Sequence, residues 1–193
     1  MSETQVIERY FETLARLGPA TACADGQGRT LALAQAIATG RKLARETNGR
    51  GNTILFIGNG GSAGIASHLA IDYSKNGRLR ALALNDGAAL TCLGNDLGFE
   101  NVFAKQIEFH GRAGDLLVAI SSSGRSPDIL KAVETARARG LGVVTLSGFG
   151  ADNPLRALGD LNFYVASGEY GFVEILHMTL LHAILDLEMG WTG

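Results

Sequence analysis

Apolar positions at the start of the chain recur at helical spacing. Val6, Ile7, Tyr10, Phe11, Leu14 and Leu17 form one stripe, which predicts a helix from Thr4 to Leu17. Leu33, Ile37 and Ala44 mark a second helix from Leu31 to about Glu46, ending at Asn48-Gly49. Between them Gly18–Arg29, with its glycines and a proline, reads as loop. From residue 52 the pattern changes to short Val/Ile/Leu-rich runs that alternate with helical segments. Strands are expected at Asn52–Ile57, Arg80–Leu84, Asp115–Ile120, Leu141–Leu146 and Leu161–Val165. Their runs lack clean in/out alternation, as parallel strands covered on both faces do. Ser126-Pro127-Asp128 offers a helix cap, a first-turn proline and an acid at the positive dipole end. Gly140 closes that helix. Asn153-Pro154 opens a short helix and Gly159 ends it, and a last long helix runs from about Phe172 to Glu188.

This order predicts an α/β fold: a doubly wound, five-stranded parallel sheet with two N-terminal helices, binding ligands beyond the carboxyl ends of its strands. Residues 1–50 read as a helical arm and 51–193 as the ligand-binding domain. Two helices ahead of any strand are unusual for such a sheet, so both are expected to pack on a partner subunit.

Two loops stand where a strand should turn into a helix: Gly58-Asn59-Gly60-Gly61-Ser62, and Ser121-Ser122-Ser123-Gly124-Arg125-Ser126. Backbone N–H groups at a helix start, beside small hydroxyls, suit an anion such as phosphate. Neither loop has the Lys-Ser/Thr pair of a nucleoside-triphosphate loop. A small phosphorylated molecule held by two loops is the expected ligand.

Composition narrows the reading. The 193 residues are 46% apolar and 19% charged with a net charge of −2, which suits an ordered protein and gives no nucleic-acid or anionic-membrane footprint. Cys23 and Cys92 match no disulfide or zinc-ribbon spacing. Met1–Gln5 has no signal-peptide pattern, no apolar run is read as a membrane span, and the expected location is cytoplasmic.

Gly58, Gly60 and Ala63 also satisfy G-x-G-x-x-A, with Asp86 available as a ribose-binding acid, so a nucleotide-dependent oxidoreductase is one alternative. The serine loop argues against it, since a dinucleotide fingerprint does not call for a second anion loop. Taken together, Gly58-Asn59-Gly60-Gly61-Ser62, the Gly94-Asn95-Asp96 turn, the serine loop and a terminal helix with Glu and His resemble the sugar-isomerase (SIS) family. Within it the chain is most similar to the phosphoheptose isomerases, which convert sedoheptulose 7-phosphate to D-glycero-D-manno-heptose 7-phosphate.

The resemblance implies a site residue by residue. His68 and Asp72, at i and i+4 on one helix, and Glu174 and His182 on the last helix fall where the family places a zinc site. Asp72 and His182 fall at its proton-transfer groups. The family's Glu is Asp72 here and its Gln is Glu174. Two carboxylates with two neutral imidazoles would neutralise a divalent ion, zinc being the first choice. Glu174 and His182 lie about 12 Å apart along an ideal helix, so joint ligation needs a frayed first turn or another subunit. The implied phosphate ligands are Ser121, Ser122, Ser123 and Ser126. Asn59, Gly60, Gly61, Ser62, Asn95, Asp96 and Glu174 are expected around the sugar. A homotetramer is implied, with a small phosphorylated sugar as partner. The other alternative is a non-catalytic sugar-phosphate sensor of the same fold. His177 is read as a core or interface histidine and His110 as a surface one.

Overall fold

The computed structural model describes residues 1–193. Strands β3 (Ile54–Gly58), β4 (Ala81–Ala83), β5 (Leu116–Ser121), β6 (Gly142–Ser147) and β7 (Leu161–Tyr164) form the expected five parallel strands. The segment read as a loop adds two more, β1 (Ala22–Asp25) and β2 (Thr30–Leu31), both antiparallel. The mixed sheet has the order β2-β1-β7-β6-β5-β3-β4. The hairpin is closed locally: the Asp25 carboxylate accepts from the backbone N–H groups of Gln27 and Arg29, and Gly28 takes a left-handed φ of 76°. Nothing in Ala22-Cys23-Ala24-Asp25 carries the β-branched or aromatic enrichment that marks a strand.

Helices α1 (Glu3–Leu17), α2 (Leu33–Gly49), α3 (Gly61–Lys75) and α7 (Tyr170–Glu188) cover one sheet face. The other face carries α5 (Val102–His110) and α6 (Pro127–Ala138), with α4 (Gly87–Leu97) beside them. Each face has its own apolar core, around Phe56, Leu69 and Phe163 on the first and Ile57, Phe103 and Ile129 on the second.

Only part of the N-terminal arm behaves as a separate piece. The α2 helix buries Ala36, Ile37, Gly40 and Ala44. Gly40 lies so close to Ile184 that a Cβ would sit 2.6 Å from its Cδ1, and Arg41 and Arg45 both reach Glu188 at the end of α7. The second helix therefore belongs to the core of this chain. The first is different. Its Tyr10 ring rests on Phe172, but Val6, Ile7 and Phe11 are each more than half exposed.

By length and composition α7 is apolar enough to cross a membrane, contrary to the sequence reading. Its apolar residues have another use: Phe172, Val173, Leu176, Leu180, Leu181, Ile184 and Leu185 are buried against α2, α3 and the sheet.

Candidate functional site

Both loops sit at the carboxyl end of the sheet, β3 feeding the first and β5 the second, and they close on one cavity of about 240 Å³. Its walls include Asn59, Gly60, Gly61 and Ser62 from the first loop and Ser121, Ser122, Ser123 and Ser126 from the second. Glu174 completes it from α7, together with Tyr170, which the sequence reading missed because it placed the start of that helix two residues later.

The first loop is shaped by close approach. Gly60 adopts φ 54° just before α3, and the Glu174 carboxylate lies directly over Gly61, where a side chain would collide with it. The N–H groups of the first turn of α3 are left without intrahelical partners, as at any helix start. The second loop is braced from within. The Ser121 hydroxyl accepts from the Gly124 N–H and lies 3.3 Å from Ser126 Oγ, and Ser123 Oγ accepts from the Arg125 N–H. Gly124 has φ 61° with the Asn153 carboxamide packed against it. Ser126 occupies the cap position of α6 but bonds none of its N–H groups. The Ser122 hydroxyl is buried without a protein partner. A buried hydroxyl pays for desolvation unless something bonds it, and a phosphate oxygen in the cavity would do so. Arg125, the loop's one cation, is turned outward to Asp152 at 2.7 Å.

A second group lies further along the α3–α7 pair. His68, Asp72 and His182 bring one ligand-type atom each to within 4.8 Å of one another. His68 Nε2 stands 3.3 Å from Asp72 Oδ2, while Asn76 donates to Asp72 Oδ1. The His68 and His182 rings meet edge to face, centroids 5.4 Å apart. Tyr73 fixes the helix pair from below by donating its hydroxyl to the Leu181 carbonyl. Glu174 does not join this group. It lies in regular helix in the cavity wall, two turns from His182, and no fraying of the first turn bridges that gap. The donors that converge are thus two imidazoles and one carboxylate, a set that fits a catalytic zinc with one position open.

Asn95 and Asp96 are not brought to the cavity. The expected turn at Gly94 is part of α4, and both side chains are exposed on its last turn, bonded to each other. Asp86 caps the same helix by accepting from the Ala89 N–H, so the acid needed for a dinucleotide ribose is already engaged.

His177 is a core histidine. It is fully buried, with Nε2 3.1 Å from the Ser147 carbonyl, and burial holds its pKa down at about 4. His110 lies on the surface. An unfolded histidine titrates near 6.5, so between pH 6.5 and 4 the unfolded chain binds more protons than the native one. Stability is therefore expected to fall by about 3 kcal/mol as pH drops through that window. Urea unfolding of wild type and His177→Gln across it checks this, the variant lacking that share of the acid loss.

A parallel α/β sheet with two such loops at its carboxyl end defines a class. A family model for the SIS domain matches residues 28–148, and the chain belongs to that family. Its relatives within the family are specific. The phosphoheptose isomerase of Bradyrhizobium sp. (strain BTAi1) is 39% identical over 190 residues, covering 93% of this chain and 88% of that protein. That of Nitratidesulfovibrio vulgaris (Hildenborough) is 36% identical over 160 residues, 80% of this chain and 76% of its own. Among solved structures, phosphoheptose isomerase GmhA from Neisseria gonorrhoeae superposes with a TM-score of 0.83 at 32% identity, covering 96% of this chain and 99% of that one.

Proposed function

We propose that this chain is an aldose–ketose isomerase that converts sedoheptulose 7-phosphate to D-glycero-D-manno-heptose 7-phosphate through an enediol. The observation that carries the reading is the approach of the Asp72 carboxylate and the His182 imidazole to within 4.8 Å on the two helices that also wall the phosphate-type cavity. Likeness to phosphoheptose isomerases over nearly the whole chain supports it.

The reaction moves one proton between adjacent carbons and another between their oxygens, so it needs two groups able to take and return protons. We assign one to Asp72 and the other to His182. His68 holds the Asp72 carboxylate from one side and Asn76 from the other, which fixes its direction. Ser121, Ser122, Ser123 and Ser126, with the helix-start N–H groups, take the phosphate. Gripping the substrate at an end that does not react supplies orientation at the end that does. We assign His68, Asp72 and His182 as the protein ligands of a zinc ion, which would polarise the carbonyl. The exposed apolar side of α1 and the exposed Ile71 and Ile175, neighbours of the histidine cluster, support a homo-oligomer, a tetramer on the family pattern. A phosphorylated sugar does not cross a bilayer unaided, so we place the reaction in the cytoplasm.

The test is incubation with a panel of ketose phosphates and identification of the products, before and after chelation. The heptose 7-phosphate should form from sedoheptulose 7-phosphate, cease on chelation and return with zinc, in a preparation whose solution mass is that of a multimer. No product from any ketose phosphate would leave the sensor reading in its place.

A further inference from the structure

Asp128 has no part in the chemistry above, yet it is 2% exposed and its Oδ2 accepts from Asn59 Nδ2 at 2.8 Å, across 69 residues of sequence. We propose that Asp128 is a positioning residue: it sets the Asn59 amide so that the amide oxygen is presented to the ligand, and thereby fixes which way round a phosphosugar lies in the cavity. The inference rests on the phosphosugar reading of that cavity.

An ionised carboxylate only accepts hydrogen bonds, so the amide beside it must turn its NH2 group that way. The second residue of α6 is a favourable place for that charge, because the helix start is positive. Burial raises the Asp128 pKa, while the Asn59 amide and the backbone N–H groups of residues 128 and 129 oppose the rise. With one N–H spent on Asp128, Asn59 offers the cavity its oxygen and a single N–H. The Glu174 carboxylate over Gly61 is a second acceptor on the same wall.

The other wall is built of donors, four serine hydroxyls, of which that of Ser122 has no protein partner. A phosphate dianion, itself all acceptors, is repelled at Asn59 and Glu174 and received by the serines. Sugar hydroxyls have protons to give and fit the acceptor wall. The cavity therefore sorts the two ends of a polyol phosphate: ester on the serine loop, hydroxyl chain along the first loop.

Calorimetric titration with inorganic phosphate and with the polyol phosphate obtained by reducing sedoheptulose 7-phosphate, which cannot isomerise, separates these roles. Asp128→Ala frees the Asn59 amide and should weaken the polyol phosphate about tenfold, the loss of one hydrogen bond's worth of affinity. Inorganic phosphate should bind as tightly as to wild type, or more tightly with a carboxylate gone, which also shows that the loops remain folded. Asp128→Asn keeps an acceptor oxygen and should recover most of the loss. Parallel weakening of both ligands, or no change in either, overturns the inference. Wild-type protein that binds neither ligand removes the phosphosugar reading and this inference with it.

Discussion

Asp72→Asn and His182→Ala are each expected to lower turnover of sedoheptulose 7-phosphate by about 10³-fold, the order that a lost acid–base group costs. Asp72→Asn is nearly isosteric, and its amide can still meet the His68 and Asn76 side chains that hold the carboxylate now. Neither position contributes to the apolar core, so the thermal midpoint should stay within a few degrees of wild type. The serine cavity lies two turns away along the helices, so inorganic phosphate should bind both variants as it binds wild type. Steady-state kinetics, a melting curve and a phosphate titration on each variant check all three points. A wild-type rate in either one contradicts the assignment of proton transfer to this pair.

Gly58→Ala should produce the largest loss of stability of any single-methyl change near the site. Gly58 ends β3, paired in register with Ile120, and the chain turns back over it at once into α3. A Cβ there would lie 2.6 Å from the carbonyl carbon and oxygen of Ser62, and 2.8 Å from its Cβ. Those atoms are almost all backbone, so no rotamer change relieves the collision and the helix start must move. Overpacking against fixed atoms costs about 3 kcal/mol, which for a chain of this length lowers the melting temperature by roughly 10 °C. Phosphate affinity should fall with it, because the displaced helix start forms one wall of the cavity. Gly64→Ala is the control: a Cβ there meets nothing within 4 Å, and alanine in a helix gains about 1 kcal/mol over glycine. Equal melting temperatures for Gly58→Ala and wild type would contradict the account of the turn.

The five parallel strands and the long helices were legible because Val/Ile/Leu runs and helical stripes are strong local signals. Each strand of the structure begins and ends within two residues of its expected position. Segments decided by tertiary context were not legible. The β1–β2 hairpin is built of small residues, and pairing with β7 makes it a strand. The α2 stripe gave a helix but not its neighbour; only packing against Ile184 and Glu188 shows that it covers its own chain. Gly94 suggested a turn, yet one glycine costs a helix only about 1 kcal/mol and α4 runs through it, carrying Asn95 and Asp96 out to solvent.

The candidate site was legible as residue types and only partly as a grouping. The loop residues converge on one cavity and the histidine pair converges with Asp72, as their spacings suggest. Glu174 parts from His182 because eight residues of straight helix separate them. Asp128 reads in sequence as an acid at a helix start. Its bond to Asn59 joins two loops that only the fold brings side by side.

The most direct measurement is incubation of sedoheptulose 7-phosphate in deuterated water with wild-type protein and with Asp72→Asn and His182→Ala, followed by NMR. The account predicts a heptose 7-phosphate with deuterium at the carbon that received the proton, formed by wild type and at about a thousandth of that rate by either variant. Wild-type protein that leaves the ketose phosphate unchanged, or variants that convert it as fast as wild type, would contradict it.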